Sequence, residues 1–250
     1  MKVIPNTFYQ AYDTGNENLV MGTTLRCNEF DVALHTAENE IETIQALKSR
    51  KMLSDQNCFN FLATLNQIHS EKIVRITEEI IKKGEIECAK IDGDALYTDL
   101  KGILLGISTA DCVPVIIYDI HGKAIGAAHA GWKGAKARIH LKLAHKMADD
   151  FNLIPGDMRF IIGPHIRQCC YEVKEDTASH FNPMIIDQRV YSLYMSLEKA
   201  IINDLMEFGI HHEQIVSSNQ CTYCDTQTPL YSYRRGHKKG RLLSFIGKLS

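Results

Sequence analysis

The sequence has no apolar run that approaches the roughly 20 residues needed to cross a bilayer. Its first residues, MKVIPNTFYQAYDTGNENLV, lack the continuous apolar stretch and the small-residue cleavage site of a secretory signal peptide. The formal net charge is only -2, so no long-range field attracts nucleic acid or an acidic membrane. We therefore expect a cytoplasmic protein that binds neither membranes nor nucleic acid.

Internal repeats, low-complexity stretches and linkers rich in Pro, Gly or Ser are also missing. Because 250 residues are ample for one hydrophobic core, we expect residues 1–250 to form a single domain. The chain is too long to be a miniprotein stapled by its 8 cysteines. In a reducing compartment, such cysteines are buried apolar residues, metal ligands or nucleophiles.

The apolar pattern predicts a mixture of strands and helices. Short runs rich in Val, Ile and Leu predict strands at 72–77, 102–108, 113–118, 123–128, 158–162, 216–218, 230–233 and 242–246. Apolar residues at helical spacing predict helices at about 37–51, 135–151 and 192–208. The link 119–123 is typical of a hairpin turn around Gly122. The expected fold class is α+β, with mixed β-sheets flanked by helices.

Two segments contain most of the residues suited to chemistry. Cys112 directly precedes the predicted strand 113–118, and His129 directly follows the predicted strand 123–128. If these strands form an antiparallel hairpin, both residues lie at the same end of it and their side chains can meet. A thiolate and an imidazole at one point suit Zn²⁺, and they equally suit a nucleophile paired with a base.

A third ligand would decide between these two readings, and the candidate is His69, in the segment 66–70 just before the predicted strand 72–77. Three protein ligands with a fourth position left open are typical of catalytic zinc. The spacing matches neither H-E-x-x-H nor a zinc finger. From the residues alone, a buried Cys112 with both histidines in ordinary polar contacts also remains open.

Four segments resemble a known family in order and spacing: TADCVPVIIYD, AAHAGWKG, IGPHIRQCCYEV, and YSYRR followed by GR. The sequence is similar to the laccase-domain family from about residue 20 onward. Its members are called multicopper polyphenol oxidases in older naming and purine nucleoside phosphorylase/adenosine deaminase in newer naming. The resemblance implies a mixed fold with sheets packed between helices, and zinc bound by His69, Cys112 and His129.

The resemblance also implies the reactions and their partners. The family is associated with phosphorolysis of adenosine, inosine and methylthioadenosine, and with deamination of adenosine. The expected partners are purine nucleosides and phosphate, and the oligomeric state stays open. Asp111 is either a proton carrier or a structural carboxylate. Because guanidinium groups bind phosphate bidentately, the candidates for the phosphate site are Arg26, Arg234, Arg235 and Arg241.

The chain departs from the family pattern in places, including Lys239 instead of threonine before the terminal Gly-Arg and no clear match to an asparagine-leucine pair near 33–34. Lys133 stands where the family has arginine in H-A-G-W-R-G, so a bidentate contact is lost there. The family's S-T-R block is matched only loosely by 23–26. Substrate contacts from the first 50 residues therefore have the least support.

Three other functions remain as alternatives. A thiol hydrolase would use Cys112 as nucleophile and His129 as base. A copper-dependent polyphenol oxidase would share the Cys and His ligands, since Cu²⁺ can bind them, but it would need many more ligands. These usually occur in H-x-H pairs, and the sequence has none. A non-catalytic protein stabilised by its metal is the third.

The remaining cysteines give a weaker signal. Cys221 and Cys224 form a C-x-x-C pair, but no second pair lies at zinc-ribbon spacing and no helix follows as in a redox motif. Cys169 and Cys170 are expected to pack beside a loop. The sequence therefore does not predict a second metal or redox site.

Overall fold

The computed structural model describes residues 3–5, 9–12, 15–26 and 59–249. The helix predicted at 37–51 lies outside these residues. The strands are β1 Val3–Pro5, β2 Tyr9–Tyr12, β3 Leu19–Thr24, β4 Phe61–Ala63, β5 Ile73–Arg75, β6 Ala95–Thr98, β7 Ile103–Thr109, β8 Val113–Asp119, β9 Ile125–Ala130, β10 Met158–Ile162, β11 Glu172–Val173, β12 Ile186–Arg189, β13 Ser192–Met195, β14 Ile215–Ser217 and β15 Leu242–Lys248.

Helices connect these strands. Within the described ranges the α-helices are α1 Glu78–Lys83, α2 Glu85–Ala89, α3 Trp132–Lys136, α4 Ile139–Phe151, α5 Glu175–Ala178 and α6 Leu197–Glu207. Short 3-10 turns span Pro155–Asp157, Pro183–Ile185 and His212–Gln214. No helix in the part of the chain that the structure describes is long and apolar enough to cross a membrane.

The strands form two six-stranded sheets and one three-stranded sheet. The first has the order β1-β2-β3-β15-β7-β4, with β15 antiparallel to both β3 and β7 and with β4 parallel to β7. The second has the order β14-β10-β8-β9-β6-β5 and contains two parallel pairs at its edges. The third is β11-β13-β12. The predicted α+β class with mixed sheets is therefore confirmed.

The second sheet is buried on both faces. In β8, Val113, Val115 and Ile117 pack into one apolar cluster, while Ile116 and Tyr118 pack into another. The second cluster also contains apolar residues of the first sheet, so the two large sheets face each other. Helices α4 and α6 cover the opposite face. A strand buried on both sides explains why β8 is a continuous apolar run in the sequence.

The helix predicted at 135–151 is interrupted, and this part of the prediction is wrong. Arg138 adopts a left-handed backbone with φ 57°, which ends α3 and separates it from α4. Its guanidinium then pairs with Asp204 at 2.7 Å and with Glu207, both on α6. A contact between distant segments thus overrides the helical pattern.

Two further predicted elements differ from the structure. The helix predicted from residue 192 begins at Leu197, because Ser192–Met195 pairs with β12 and Ser196 caps the helix by accepting from the Lys199 N–H at 3.1 Å. The strand predicted at 230–233 is irregular. There Tyr231 packs so closely on Gly240 that a Cβ at residue 240 would lie 2.2 Å from its ring.

Candidate metal centre and cleft

Cys112 and His129 meet at one end of a hairpin, as predicted. Strands β8 and β9 are antiparallel, and Pro114 lies opposite His129. Cys112 is the residue just before β8, which places its Sγ within hydrogen-bonding reach of the His129 ring. The link around Gly122, whose φ is 68°, makes the tight turn at the opposite end. The hairpin therefore fixes the first two donors of the centre.

His69 reaches the same point from the loop after β4. Its backbone has φ 58°, an unusual conformation for a residue with a side chain. The carboxylate of Asp94 stabilises this turn by accepting from the N–H groups of Ile68 at 3.3 Å, His69 at 3.0 Å and Ser70 at 2.6 Å. The loop is thus bent around a single buried acid.

The same Asp94 also orients His129. An Asp94 oxygen lies 2.8 Å from His129 Nδ1, and the pair is buried. If Nδ1 donates this bond, Nε2 is left as the atom that faces Cys112 and His69. Burial alone would raise the pKa of Asp94, but hydrogen bonds from His129 and Ser70 outweigh it and hold that pKa below 3.8. Asp94 is therefore ionised at neutral pH and anchors two of the three donors.

The donor set fits a metal ion. One ligand atom from each of His69, Cys112 and His129 lies within 4.8 Å of the others. This spacing suits an ion with bonds of about 2.3 Å to sulfur and about 2.0–2.1 Å to nitrogen. Gly131 leaves room beside the donors, since a Cβ there would lie 3.1 Å from Cys112 Sγ and 3.2 Å from His69 Cδ2.

The thiol and the imidazole shift each other's protonation. Burial would raise the pKa of Cys112, but the charge on His129 and hydrogen bonds from both histidines lower it to about 6. Burial would lower the pKa of His129, but the Cys112 thiolate and Asp94 raise it to about 9. Near neutral pH the pair is therefore thiolate and imidazolium, and a cation bound there would replace the proton.

A cleft of about 400 Å³ opens over these donors. Arg234 and Arg241 line it, together with the aromatic side chains Trp132, Tyr171 and Tyr233. Its volume lies in the range of small-molecule sites, roughly 300–1,000 Å³. The cleft thus joins a metal-binding end to aromatic and cationic walls.

The other two candidate arginines do not line this cleft. The Arg235 guanidinium donates to the carbonyl oxygens of Tyr223 and of Asp225, the latter at 3.0 Å. Arg26 is exposed, with its guanidinium 3.5 Å from the His237 ring. Both lie in the surrounding loops rather than on the wall of the cleft.

Asp111 lines the cleft, but its carboxylate is engaged by the protein. One oxygen accepts from the Thr222 hydroxyl at 2.7 Å and the other from the Arg234 backbone N–H at 2.7 Å. Its backbone has φ 97°. These contacts favour a structural role, in which Asp111 holds the segment that carries Arg234 against the end of β7.

The comparisons with known proteins identify the family of this chain. The profile of the family described as multi-copper polyphenol oxidoreductase laccase matches residues 23–248. The chain belongs to this family. It is 34% identical over 230 residues to a purine nucleoside phosphorylase of Clostridium acetobutylicum, covering 88% of this chain and 93% of that protein. It is 33% identical to a purine nucleoside phosphorylase of Aquifex aeolicus, covering 70% and 80%.

A solved structure shares the fold. The crystal structure of YlmD from Geobacillus stearothermophilus superposes with a TM-score of 0.83 at 24% identity, covering 99% of each chain. The resemblance to the laccase-domain family seen in the sequence is thereby confirmed.

Several residues that build this site were not predicted from the sequence. Asp94 was missed, although it stands in the turn just before β6. Gln67 was missed as well; its amide exchanges hydrogen bonds with the Ser108 backbone at 2.9 and 2.8 Å. Tyr171 and Tyr233 lie within the segments that resemble the family, but no spacing marked them as part of the cleft wall. Their roles depend on contacts across the fold.

Proposed function

We propose that this chain is a metal-dependent purine nucleoside phosphorylase, acting on adenosine, inosine and methylthioadenosine. The observation that carries the proposal is a single cleft that combines the His69, Cys112 and His129 donors with the guanidinium groups of Arg234 and Arg241. The names of the relatives in Clostridium acetobutylicum and Aquifex aeolicus support it.

The metal proposed is zinc, held by His69, Cys112 and His129. One thiolate and two imidazoles are ligands that zinc favours, and three of them leave a position open. A bound zinc would supply a Lewis acid at the deep end of the cleft. Asp94 would keep His129 in the tautomer that presents Nε2, as carboxylates do for metal-bound histidines.

The remaining residues would bind and orient the two substrates. Arg234 and Arg241 would bind phosphate, because their paired N–H groups match its oxygens. In phosphorolysis, a phosphate oxygen bonds to ribose C1′ as the C1′–N9 bond breaks. The electron pair leaves with the purine, which takes up a proton. Tyr171 and Trp132 would offer aromatic surface to the base.

Deamination of adenosine is the second reaction that we propose for this cleft. Water would replace the amino group at purine C6, giving inosine and ammonia. This reaction needs no phosphate, so omitting phosphate separates it from phosphorolysis.

The test is incubation of purified, metal-quantified protein with adenosine, with and without phosphate, followed by chromatography. We expect adenine and ribose 1-phosphate only when phosphate is present, and inosine in either case. Cys112→Ala should abolish both reactions. Cys88→Ser is the matched control, because Cys88 is buried and its Sγ donates to the Thr64 carbonyl instead. Unchanged nucleoside with zinc-loaded protein would refute the proposal.

A thiol hydrolase is the second candidate, favoured by one specific observation. Cys112, His129 and Asp94 are connected like a nucleophile, a base and an orienting acid, and the pKa of Cys112 is lowered to about 6. Full activity on an ester substrate in chelator-treated protein would support the hydrolase. Activity that returns only with added zinc would support the phosphorylase.

Copper-dependent oxidation of phenols has less support. A multicopper oxidase needs several copper ions and many histidine ligands. Among the described residues, the donors that cluster besides His69, Cys112 and His129 are four cysteines without any histidine. We therefore favour zinc over copper at the cleft.

A further inference from the structure

Four cysteines from two distant segments converge outside the lining of the cleft. Cys169 and Cys170 lie between β10 and β11, and Cys221 and Cys224 follow β14. All four Sγ atoms lie within 4.8 Å of one another. The proposed phosphorylase reaction uses none of them, so their convergence needs a separate explanation.

The distance between the Cys169 and Cys224 sulfurs matches a tetrahedral metal site. With Zn–S bonds of about 2.3 Å, the sulfurs of a tetrahedral four-thiolate site lie about 3.8 Å apart. The Cys169 and Cys224 sulfurs are 3.7 Å apart. A disulfide bond would need about 2.05 Å, and all four cysteines are free thiols. The C-x-x-C spacing of Cys221 and Cys224 is the usual one for two ligands on one loop.

Backbone contacts hold the two cysteine segments together without a metal. His165 and Cys221 form a parallel bridge, and the Thr222 N–H donates to the His165 carbonyl at 3.0 Å. The Arg167 N–H donates to Cys221 Sγ at 3.5 Å. Backbone N–H groups directed at sulfur stabilise the negative charge of a thiolate. The protein thus builds a preorganised four-sulfur site.

We propose that Cys169, Cys170, Cys221 and Cys224 bind a structural zinc ion. Four protein thiolates complete the tetrahedral coordination and leave no open position, which is typical of structural rather than catalytic zinc. The chain would then hold two zinc ions, one in the cleft and one at the four cysteines.

The four-cysteine site connects segments that build the cleft. The segment with Cys169 and Cys170 continues into Tyr171, which lines the cleft. The segment with Cys221 and Cys224 carries Thr222, whose hydroxyl donates to Asp111 at 2.7 Å. Zinc bound by the four sulfurs would therefore hold the segment of Tyr171 and the segment of Thr222 together without taking part in the reaction.

The test separates the two metals by mutation. In protein purified under reducing conditions, we expect about two zinc ions per chain, and about one in the Cys112→Ala variant. Adding Cys221→Ser and Cys224→Ser to Cys112→Ala should remove the remaining zinc. Adding Cys88→Ser instead should leave it, since Cys88 is buried outside both groups of donors. Cys112→Ala protein without any zinc would overturn the proposal.

A second measurement needs no variant that might fail to fold. Wild-type protein is alkylated with and without a strong chelator, and the modified cysteines are identified by mass spectrometry. We expect Cys169 and Cys224 to be protected until zinc is removed, although both are exposed in the structure. Their rapid alkylation in zinc-replete protein would overturn the proposal. Iron in place of zinc, or a disulfide among the four cysteines, would overturn it as well.

Discussion

At the scale of single residues, Asp94 organises the metal centre without contacting the cleft itself. Its carboxylate receives bonds from the turn that carries His69 and from the ring of His129. Losing one oxygen acceptor would loosen both donors together. A second residue, Cys112, connects these histidines through its thiolate. The properties of the centre therefore depend on a few polar atoms with several partners each.

Asp94→Asn should weaken zinc binding in the cleft by about 10–100-fold, the usual effect of losing a carboxylate that supports a ligand histidine. An amide has one oxygen acceptor where the carboxylate has two, so the His69 turn and the His129 tautomer are both perturbed. Competition with a chromophoric chelator measures the affinity. Asp92→Asn is the control, because its carboxylate binds the Asn66 side chain at 2.7 Å instead. Equal affinities in wild type and Asp94→Asn would contradict this role.

The reactivity of Cys112 should depend on the metal. In chelated protein, its alkylation rate should reach half its maximum near pH 6, the approximate pKa of its thiol. His129→Ala should move this midpoint to higher pH, because the stabilising positive charge is removed. Zinc should slow the reaction, since the sulfur lone pair is then committed to the metal. Rapid alkylation of Cys112 in zinc-replete protein would refute the metal assignment.

At the scale of elements, the start of α3 approaches the donors closely. Gly131→Ala would place a Cβ 3.1 Å from Cys112 Sγ and 3.2 Å from His69 Cδ2. Overpacking of this kind lowers the free energy of unfolding by about 1–3 kcal/mol. If the metal ligands shift to relieve the strain, the zinc affinity falls instead, by up to roughly a hundredfold. Gly156→Ala is the matched control, because nothing lies within 4 Å of a Cβ there. Calorimetric zinc titration of both variants makes the comparison.

Two arginines in the irregular segment before β15, Arg235 and Arg241, are expected to have different roles. Arg241→Ala should raise the phosphate KM about tenfold or more, the effect of losing a charge-assisted hydrogen bond of about 1.5–3 kcal/mol. Arg235→Ala should lower the melting temperature instead, because its guanidinium holds the Tyr223 and Asp225 carbonyls. Initial rates at varied phosphate and thermal melts test both. An unchanged phosphate KM in Arg241→Ala would locate the anion site elsewhere.

At the scale of the whole molecule, two buried histidines make stability depend on pH. His140 and His165 are almost fully buried, and burial lowers the pKa of each below its ordinary 6.5. The unfolded chain gains their protons at a higher pH than the folded chain does. The contribution of the two neutral histidines to the free energy of unfolding is therefore fully present above pH 6.5. It is lost as the pH falls toward their lowered pKa values.

The free energy of unfolding, measured in urea at pH 7.5 and 5.5, should show this loss. The loss should be at most about 1.4 kcal/mol for each histidine and each pH unit. The Cys112→Ala background removes the contribution of zinc in the cleft. Adding His165→Gln should reduce the loss, whereas the exposed His212→Gln should leave it unchanged. Identical pH dependence in both variants would show that His165 is not responsible.

Local features of the sequence were enough to predict much of the fold. The two short apolar runs and the turn at Gly122 predicted the β8–β9 hairpin and hence the meeting of Cys112 with His129. These features are local because hairpin register depends on neighbouring residues and on the turn between them. The helix break at Arg138 was not predictable in the same way, since it depends on Asp204 in a distant helix.

The sequence by itself determined the α+β class and the central hairpin, which follow from short-range patterns, while its resemblance to the family pointed to His69, Cys112 and His129 as the donors. Only the tertiary structure decided that Asp94, 35 residues before His129, orients its ring, and that Cys169 and Cys224, 55 residues apart, approach within 3.7 Å. The physical reason is that β6 pairs with β9, and β10 with β14, through the order of strands in the second sheet. The order of strands depends on which faces of the sheets become buried against other elements. The spacing of residues within a short segment does not encode this order.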